Sequence, residues 1–301
     1  MDPYIHEYTK NAIPDITQVC PAIFPSEIYK NSNESSRVYE LDQKSTLQTN
    51  YPCTAPNLLA NFVKIVPGDS LVLVANCTSH LFYVISGKGV YCSADLCSFW
   101  NEGDLFVVSG QDSIHLTSKS NEDCILYWVN DSPLLEYLGV KFAKAKFTPT
   151  FFKKDLLVKN LEKIRHDVNN HDKNRLGILL SNADTENSSK TVTHVLWSLL
   201  NVLPAKTKQP PHKHNSVALD LCVSGGGENV YTLMGPELDE HGWVKNPLRI
   251  NLETGGVFVT PPGWFHSHHN DSEVDALVLP IQDAGLYTYQ RTLDLTFSKP
   301  C

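Results

Sequence analysis

Residues 255–270 read GGVFVTPPGWFHSHHN: an apolar run, a Pro-Pro-Gly turn, then three histidines within four positions. The run and the turn predict two short strands joined by a tight reversal, with the histidines on the second strand. Alternate residues of a strand face the same side, so His266 and His268 share one face and His269 takes the other. Upstream, PPHKHNSVALDLCVSGGG (210–227) places His212 and His214 two residues apart, again on one face. Three readings are open at this point. The imidazoles converge on a metal ion, they form a hydrogen-bonded core cluster, or they line a polar loop.

The composition narrows the classes of function. At 301 residues with 42% hydrophobic residues, the chain can bury a core in each of about two domains. A net charge of −8 and the lack of a basic stripe argue against a nucleic-acid or anionic-membrane partner. The start MDPYIHEYTKNAIPD has neither a basic nor an apolar leader region, and no run of 18 apolar residues occurs, so a cytoplasmic, soluble protein is expected. Eight cysteines at 20, 53, 77, 92, 97, 124, 222 and 301 form no C-x-x-C pair. In a reducing compartment all are expected as free thiols, those in DCILYWV and LDLCVSG acting as small core hydrophobes.

Two β-rich regions flank one helical segment. The first contains FVKIVPGDSLVLV, LFYVISGKGVY, DLFVVSG and CILYWVN, punctuated by glycine turns, the spacing of a sandwich or barrel. FFKKDLLVKNLEKIRHDV (151–168) sets Leu156, Leu157, Leu161 and Ile164 at helical spacing with lysines opposite, an amphipathic connector. SNADTENSSKT (181–191) reads as an exposed loop, and strands return from Val192. The expected organisation is an N-terminal arm (1–46), a first barrel (47–140), a helical connector and loop (141–190), and a second barrel with a C-terminal tail (191–301).

The two regions also align with each other. Gly68, Val74, Asn76, His80 and Gly87 correspond at one constant offset to Lys206, His212, His214, Ala218 and Gly225. Gly103 and His115 correspond to Gly255 and His266 at a longer offset, the excess falling in ELDEHGWVKNPLR, which reads as an inserted hairpin or loop.

The spacing G-x5-H-x-H-x3/4-E-x6-G followed by G-x5-P-x-G-x2-H-x3-N is the two-part signature of the cupin superfamily, which this chain resembles over most of residues 47–295. Gly255, Pro261, Gly263, His266 and Asn270 meet the second part; His212, His214 and Gly225 meet the first. The resemblance implies an all-β chain of two jelly-roll β-barrels joined by the amphipathic helix, with His212, His214 and His266 holding one divalent transition metal per chain. Three imidazoles suit Fe(II), which the resemblance favours, or Zn, Ni or Cu, far better than Mg or Ca. In the first barrel Val74 and Asn76 replace ligands, so a metal is not expected there, with a two-histidine remnant at His80 and His115 as the alternative.

Departures from the signature are informative. Ala218 stands where the glutamate ligand is usual, so no glutamate completes the site; Asp220 shares the parity of the histidine pair and is a candidate ligand or catalytic group. His268 is a candidate acid/base group or hydrogen-bond donor. Gln209, Trp264 and Arg291 are candidates to line the substrate pocket, with core packing the favoured reading for Trp264 and a plain surface ion pair favoured over a carboxylate clamp for Arg291. The run HKHNSVAL and, in part, FHSHHN resemble the three-histidine gentisate and salicylate ring-cleaving dioxygenases, whose gentisate members carry iron in the first barrel, whereas the complete set here falls in the second. The expectation is an Fe(II) dioxygenase taking O2 and a small bidentate or anionic substrate such as a hydroxylated aromatic acid. The alternative is a bicupin without redox chemistry, a ligand-binding protein or a Zn or Ni Lewis-acid isomerase or hydrolase. A seed-storage-like bicupin is a third possibility, and the barrel edges leave room for a homodimer.

Overall fold

The computed structural model describes residues 3–30, 35–93, 96–111, 113–170 and 175–300. Cys301 and the HDKN stretch at 171–174 lie outside the described residues.

The strands of highest apolar content are buried on both faces, because four sheets stack. In the first half a six-stranded antiparallel sheet contains Leu59–Ile65, Ser79–Ser86, Leu105–Ser109 and Cys124–Asn130 at its centre, and a four-stranded sheet covers one side. In the second half a six-stranded sheet built on Trp197–Leu203, Ala218–Ser224, Val257–Thr260 and Ala276–Gln282 faces a second sheet that carries His212–His214 and Phe265–Asn270. Period-two alternation divides each strand between two cores. Phe62, Leu81, Val107 and Tyr127 meet Leu219, Leu221, Val259 and Ile281 in one cluster between the halves. Val63, Phe82, Phe106 and Trp128 fill the first half, and Cys222, Met234, Phe258 and Val278 fill the second. The class is all-β, as the sequence implies. Each half is a two-sheet jelly-roll sandwich rather than a barrel closed by hydrogen bonds.

The N-terminal segment ties the halves together. Ile23 and Phe24 pair with Phe258 and Val257 of the second half, and Arg37–Glu40 pairs with Leu59–Ile65 of the first. Between them Tyr29 packs edge-on against Phe62 at 4.8 Å and donates to the Gly255 carbonyl at 3.2 Å. Gly255, at φ +84°, leaves no room for a Cβ, which would lie 2.2 Å from the Tyr29 hydroxyl.

Several local expectations are corrected. The helix runs Lys154–Arg165, because Phe151 and Phe152 belong to the strand Thr150–Phe152 of the first half. Its inner face is Leu157 and Leu161, while Leu156 is exposed. The 181–191 loop is not simply solvent-facing: Asn182, Thr185 and Thr191 are buried, with the Asn182 amide donating to the Thr148 carbonyl and the Thr150 hydroxyl. Two of the expected free thiols are joined. Cys92 and Cys97 are direct partners across a hairpin, and a disulfide links them. Cys20, Cys53, Cys77, Cys124 and Cys222 are free. No helix among the described residues is long and apolar enough to cross a membrane.

Candidate metal centre

The ligand strand is short and heavily constrained. His212–His214 follows Pro210-Pro211 and lies between Phe265–Asn270 on one side and Leu295–Phe297 on the other. His212 pairs directly with His266, and a tight turn leads into the second histidine strand, where Gly263, at φ +77°, donates its N–H to the His214 carbonyl at 2.7 Å. Asn270 closes the far end of that strand, its amide donating to the carbonyls of Leu203 and Val274.

The imidazoles of His212, His214 and His266 converge. One ring nitrogen from each lies within 4.8 Å of the others, and the His212 and His266 ring centroids are 4.0 Å apart. His214 Nδ1 donates to the Ser216 carbonyl at 2.8 Å, and His266 Nδ1 donates to the Trp264 carbonyl at 3.1 Å. Both bonds fix the tautomer that leaves Nε2 with a free lone pair. Burial depresses the pKa of all three imidazoles, His212 and His266 well below the usual value and further lowered by the neighbouring rings. His214 and His266 thus present free lone pairs, and all three imidazoles are neutral, the state a divalent transition metal requires, so the residues present fit such an ion.

The cluster opens into a cavity of about 340 Å³ between the two sheets of the second half. Its walls include Leu179, Trp197, Leu199 and Pro280, and its polar groups are Arg175, Asn201, Gln209, Asp220, His268 and Gln282. His268 packs 5.6 Å from the His266 ring, bonds through Nδ1 to the Thr232 hydroxyl at 2.8 Å, and has its pKa lowered to about 3 by burial first and Arg175 second. Asp220 stands outside the imidazole cluster, on the facing sheet. It accepts from the Thr260 hydroxyl at 2.7 Å, and burial raises its pKa to about 7.

Arg175 is the residue that sequence reading missed. It heads the strand Leu176–Leu179, and its Nη2 donates to the Pro210 carbonyl at 2.8 Å and lies 3.2 Å from His212 Nδ1. Among the described residues its buried Nε has no hydrogen-bond partner, and burial alone lowers its pKa to about 10, which leaves the guanidinium charged. A lone arginine opening the apolar run RLGILL was the available signal.

Two expected pocket residues are elsewhere. Arg291 is exposed, with its guanidinium over its neighbour Tyr289, because it caps a helix in the left-handed conformation and points to solvent. The Trp264 ring packs against the apolar core of the second half, and its contribution is the carbonyl that holds His266. Gln209 does line the cavity. His269 takes the opposite face, stacked on Tyr231 at 4.9 Å.

The equivalent first-half residues do not converge. Val74 and His115 are exposed, and Asn76 bonds Val140 and Phe142. His80 is buried between the Cys77 thiol at 3.1 Å and the Trp128 indole N–H, which donates to its Nδ1 at 3.2 Å.

No protein-family model matches the chain. Gentisate 1,2 dioxygenase 1 of Aquipseudomonas alcaligenes is 29% identical over 109 residues, or 35% of this chain, and the match spans 27% of that relative's length. Among solved structures the chain is similar to salicylate 1,2-dioxygenase of Pseudaminobacter salicylatoxidans, at TM-score 0.77 and 13% identity, covering 97% of this chain and 93% of that one. Adducts of that enzyme with gentisate give a TM-score of 0.76 at 11% identity, covering 97% and 90%. Vicilin of Corylus avellana gives 0.54 at 12% identity, covering 91% and 87%. An enzyme and a vicilin on one fold leave function to be argued from the site. The likeness establishes the fold, which this chain shares with salicylate 1,2-dioxygenase.

Proposed function

We propose that the chain is a metal-dependent dioxygenase, with Fe(II) as its ion and a small hydroxylated aromatic acid as its substrate. The observation that carries the reading is the convergence of His212, His214 and His266 beside a half-buried, charged Arg175 in one cavity. The salicylate 1,2-dioxygenase that the chain resembles is solved with gentisate, an acid of this class.

When bound, a redox-active ion supplies O2 activation, whereas zinc in the same place supplies Lewis-acid polarisation. The residues supply the rest. Arg175, which lines the cavity, holds the substrate carboxylate through charge-assisted hydrogen bonds from its guanidinium. The walls at Leu179, Trp197, Leu199 and Pro280 exclude water, and a cavity of about 340 Å³ takes a molecule of single-ring size. Asp220, with its pKa near 7, can accept or return a proton at neutral pH, and His268 serves as a neutral hydrogen-bonding group held by Thr232.

The test is anaerobic loading with Fe(II), then O2 consumption with salicylate, gentisate and related acids. Uptake matched to loss of aromatic absorbance is expected. Stoichiometric zinc retained with no uptake for any acid would move the site to non-redox Lewis-acid chemistry or ligand binding.

A further inference from the structure

The tail strand Leu295–Phe297 was not expected beside the metal ligands, yet it is the outer neighbour of the ligand strand. His212 faces Phe297, Lys213 faces Thr296 and His214 faces Leu295. Directly opposed residues of antiparallel strands put their side chains on the same face, so Phe297 and Leu295 point where the histidines point. Both line the cavity, together with Leu293.

The register is held by more than the ladder. Asn215 donates its backbone N–H to the Asp294 carbonyl and its side-chain amide to the Thr292 carbonyl at 2.9 Å, and its Oδ1 accepts from the Asp294 N–H at 3.0 Å. Ser298 donates its N–H to the Pro211 carbonyl at 2.8 Å and its hydroxyl to the Gly242 carbonyl at 2.6 Å. A strand fastened at both ends cannot slip by one residue, which would turn Phe297 out of the cavity.

The Phe297 ring is nearly parallel to His212, 18° at 5.8 Å, and the Arg175 guanidinium lies 5.0 Å from its centroid. Phe297 therefore forms a flat wall running from the imidazole cluster to the cation. Although they line a cavity, Leu293, Leu295 and Phe297 stay 38%, 47% and 50% exposed. Apolar surface of that kind gains from being covered by a planar apolar ring.

We propose that Phe297, held by the tail strand, is the specificity-determining residue of the site: its ring stacks on the aromatic ring of the substrate while Arg175 holds the carboxylate. This rests on the aromatic-acid reading above. It makes the tail strand a wall of the pocket that selects flat aromatic acids over aliphatic ones carrying the same hydroxyl and carboxylate.

The test uses full-length chain loaded with zinc, which is redox-inert, and compares binding of salicylate with binding of glycolate, which has the hydroxyl and carboxylate without the ring. Phe297→Ala is expected to weaken salicylate about tenfold and leave glycolate unchanged. Phe297→Tyr is expected to restore salicylate binding, and zinc stoichiometry should be equal in all three chains. Equal loss of both ligands in Phe297→Ala, or no loss of either, would overturn the proposal. If the parent binds neither acid, the aromatic-acid reading itself fails, an outcome distinct from the failure of Phe297. If Phe297→Ala does not retain zinc, Phe297→Leu in the same comparison decides, with loss of salicylate alone expected.

Discussion

His212 and His266 stand directly opposite each other on neighbouring antiparallel strands, with ring centroids 4.0 Å apart, and His214 sits 5.0 Å from the His266 ring. Their outer nitrogens differ. His214 and His266 donate to carbonyls, whereas His212 Nδ1 faces the Arg175 guanidinium. A carbonyl acceptor raises ligand basicity and a cation does not. His214→Ala and His266→Ala are each expected to weaken metal binding more than His212→Ala does, by about tenfold or more. Competition against a chromophoric chelator measures the order.

Arg175 has two roles that one substitution separates. Arg175→Gln keeps a donor near Pro210 but removes the charge from the cavity. Metal stoichiometry should be retained, while affinity for salicylate falls by about 10- to 100-fold, the worth of charge-assisted hydrogen bonds. Calorimetry on the zinc-loaded chain reads both quantities. Unchanged salicylate affinity would remove Arg175 from the substrate site.

The Asp220 prediction concerns pH. Burial raises its pKa to about 7, so it is protonated below that pH and an acceptor above it. If it takes a proton in turnover, O2 uptake by the Fe(II)-loaded chain rises as pH passes through about 7. Asp220→Asn, which can still accept from Thr260, should lower the rate and flatten that rise. A rise that persists unchanged in the variant would assign it to another group.

Asp131 provides a stability prediction away from the site. It is buried, accepts from the N–H groups of Thr78 and Ser79 and from the Thr78 hydroxyl, and burial raises its pKa from 3.8 to about 6. An acid raised on folding holds its proton more tightly in the native state. Its stabilising contribution is therefore complete below pH ~4 and is lost as pH climbs through about 6. Thermal melts of the metal-free chain should show part of this fall, and Asp131→Asn, which keeps one oxygen to accept from the Thr78 and Ser79 N–H groups and cannot titrate, should reduce it. Burial likewise raises Asp283 to about 6, where it accepts from Asn57 of the first half, and it adds a fall of the same sign.

Much of this was legible because the decisive signals are local. Strand runs such as CILYWV are apolar throughout because the stacked sheets bury both faces, and parity alone put His212 beside His214. The groups that complete the cavity come from far along the chain, and nothing in their spacing announces them. Arg175 enters from an edge strand before the ligand strand, and Phe297 from the tail, although the alternation Leu293, Leu295, Phe297 is a period-two signal. Arg291, weighed as a clamp or a surface residue, is aimed outward by its helix-capping conformation. The Cys92–Cys97 link was hidden by the lack of a C-x-x-C spacing; the hairpin register, not the spacing, makes these residues neighbours.

The central claim is that three imidazoles of the second half grip one divalent ion, and metal content tests it most directly. Parent chain and a His212→Ala, His214→Ala, His266→Ala variant, each reloaded with Fe(II) or zinc and freed of loose metal, should differ as about one ion per chain against none, with both chains folded by circular dichroism. A folded variant that keeps as much tightly bound metal as the parent would contradict the account.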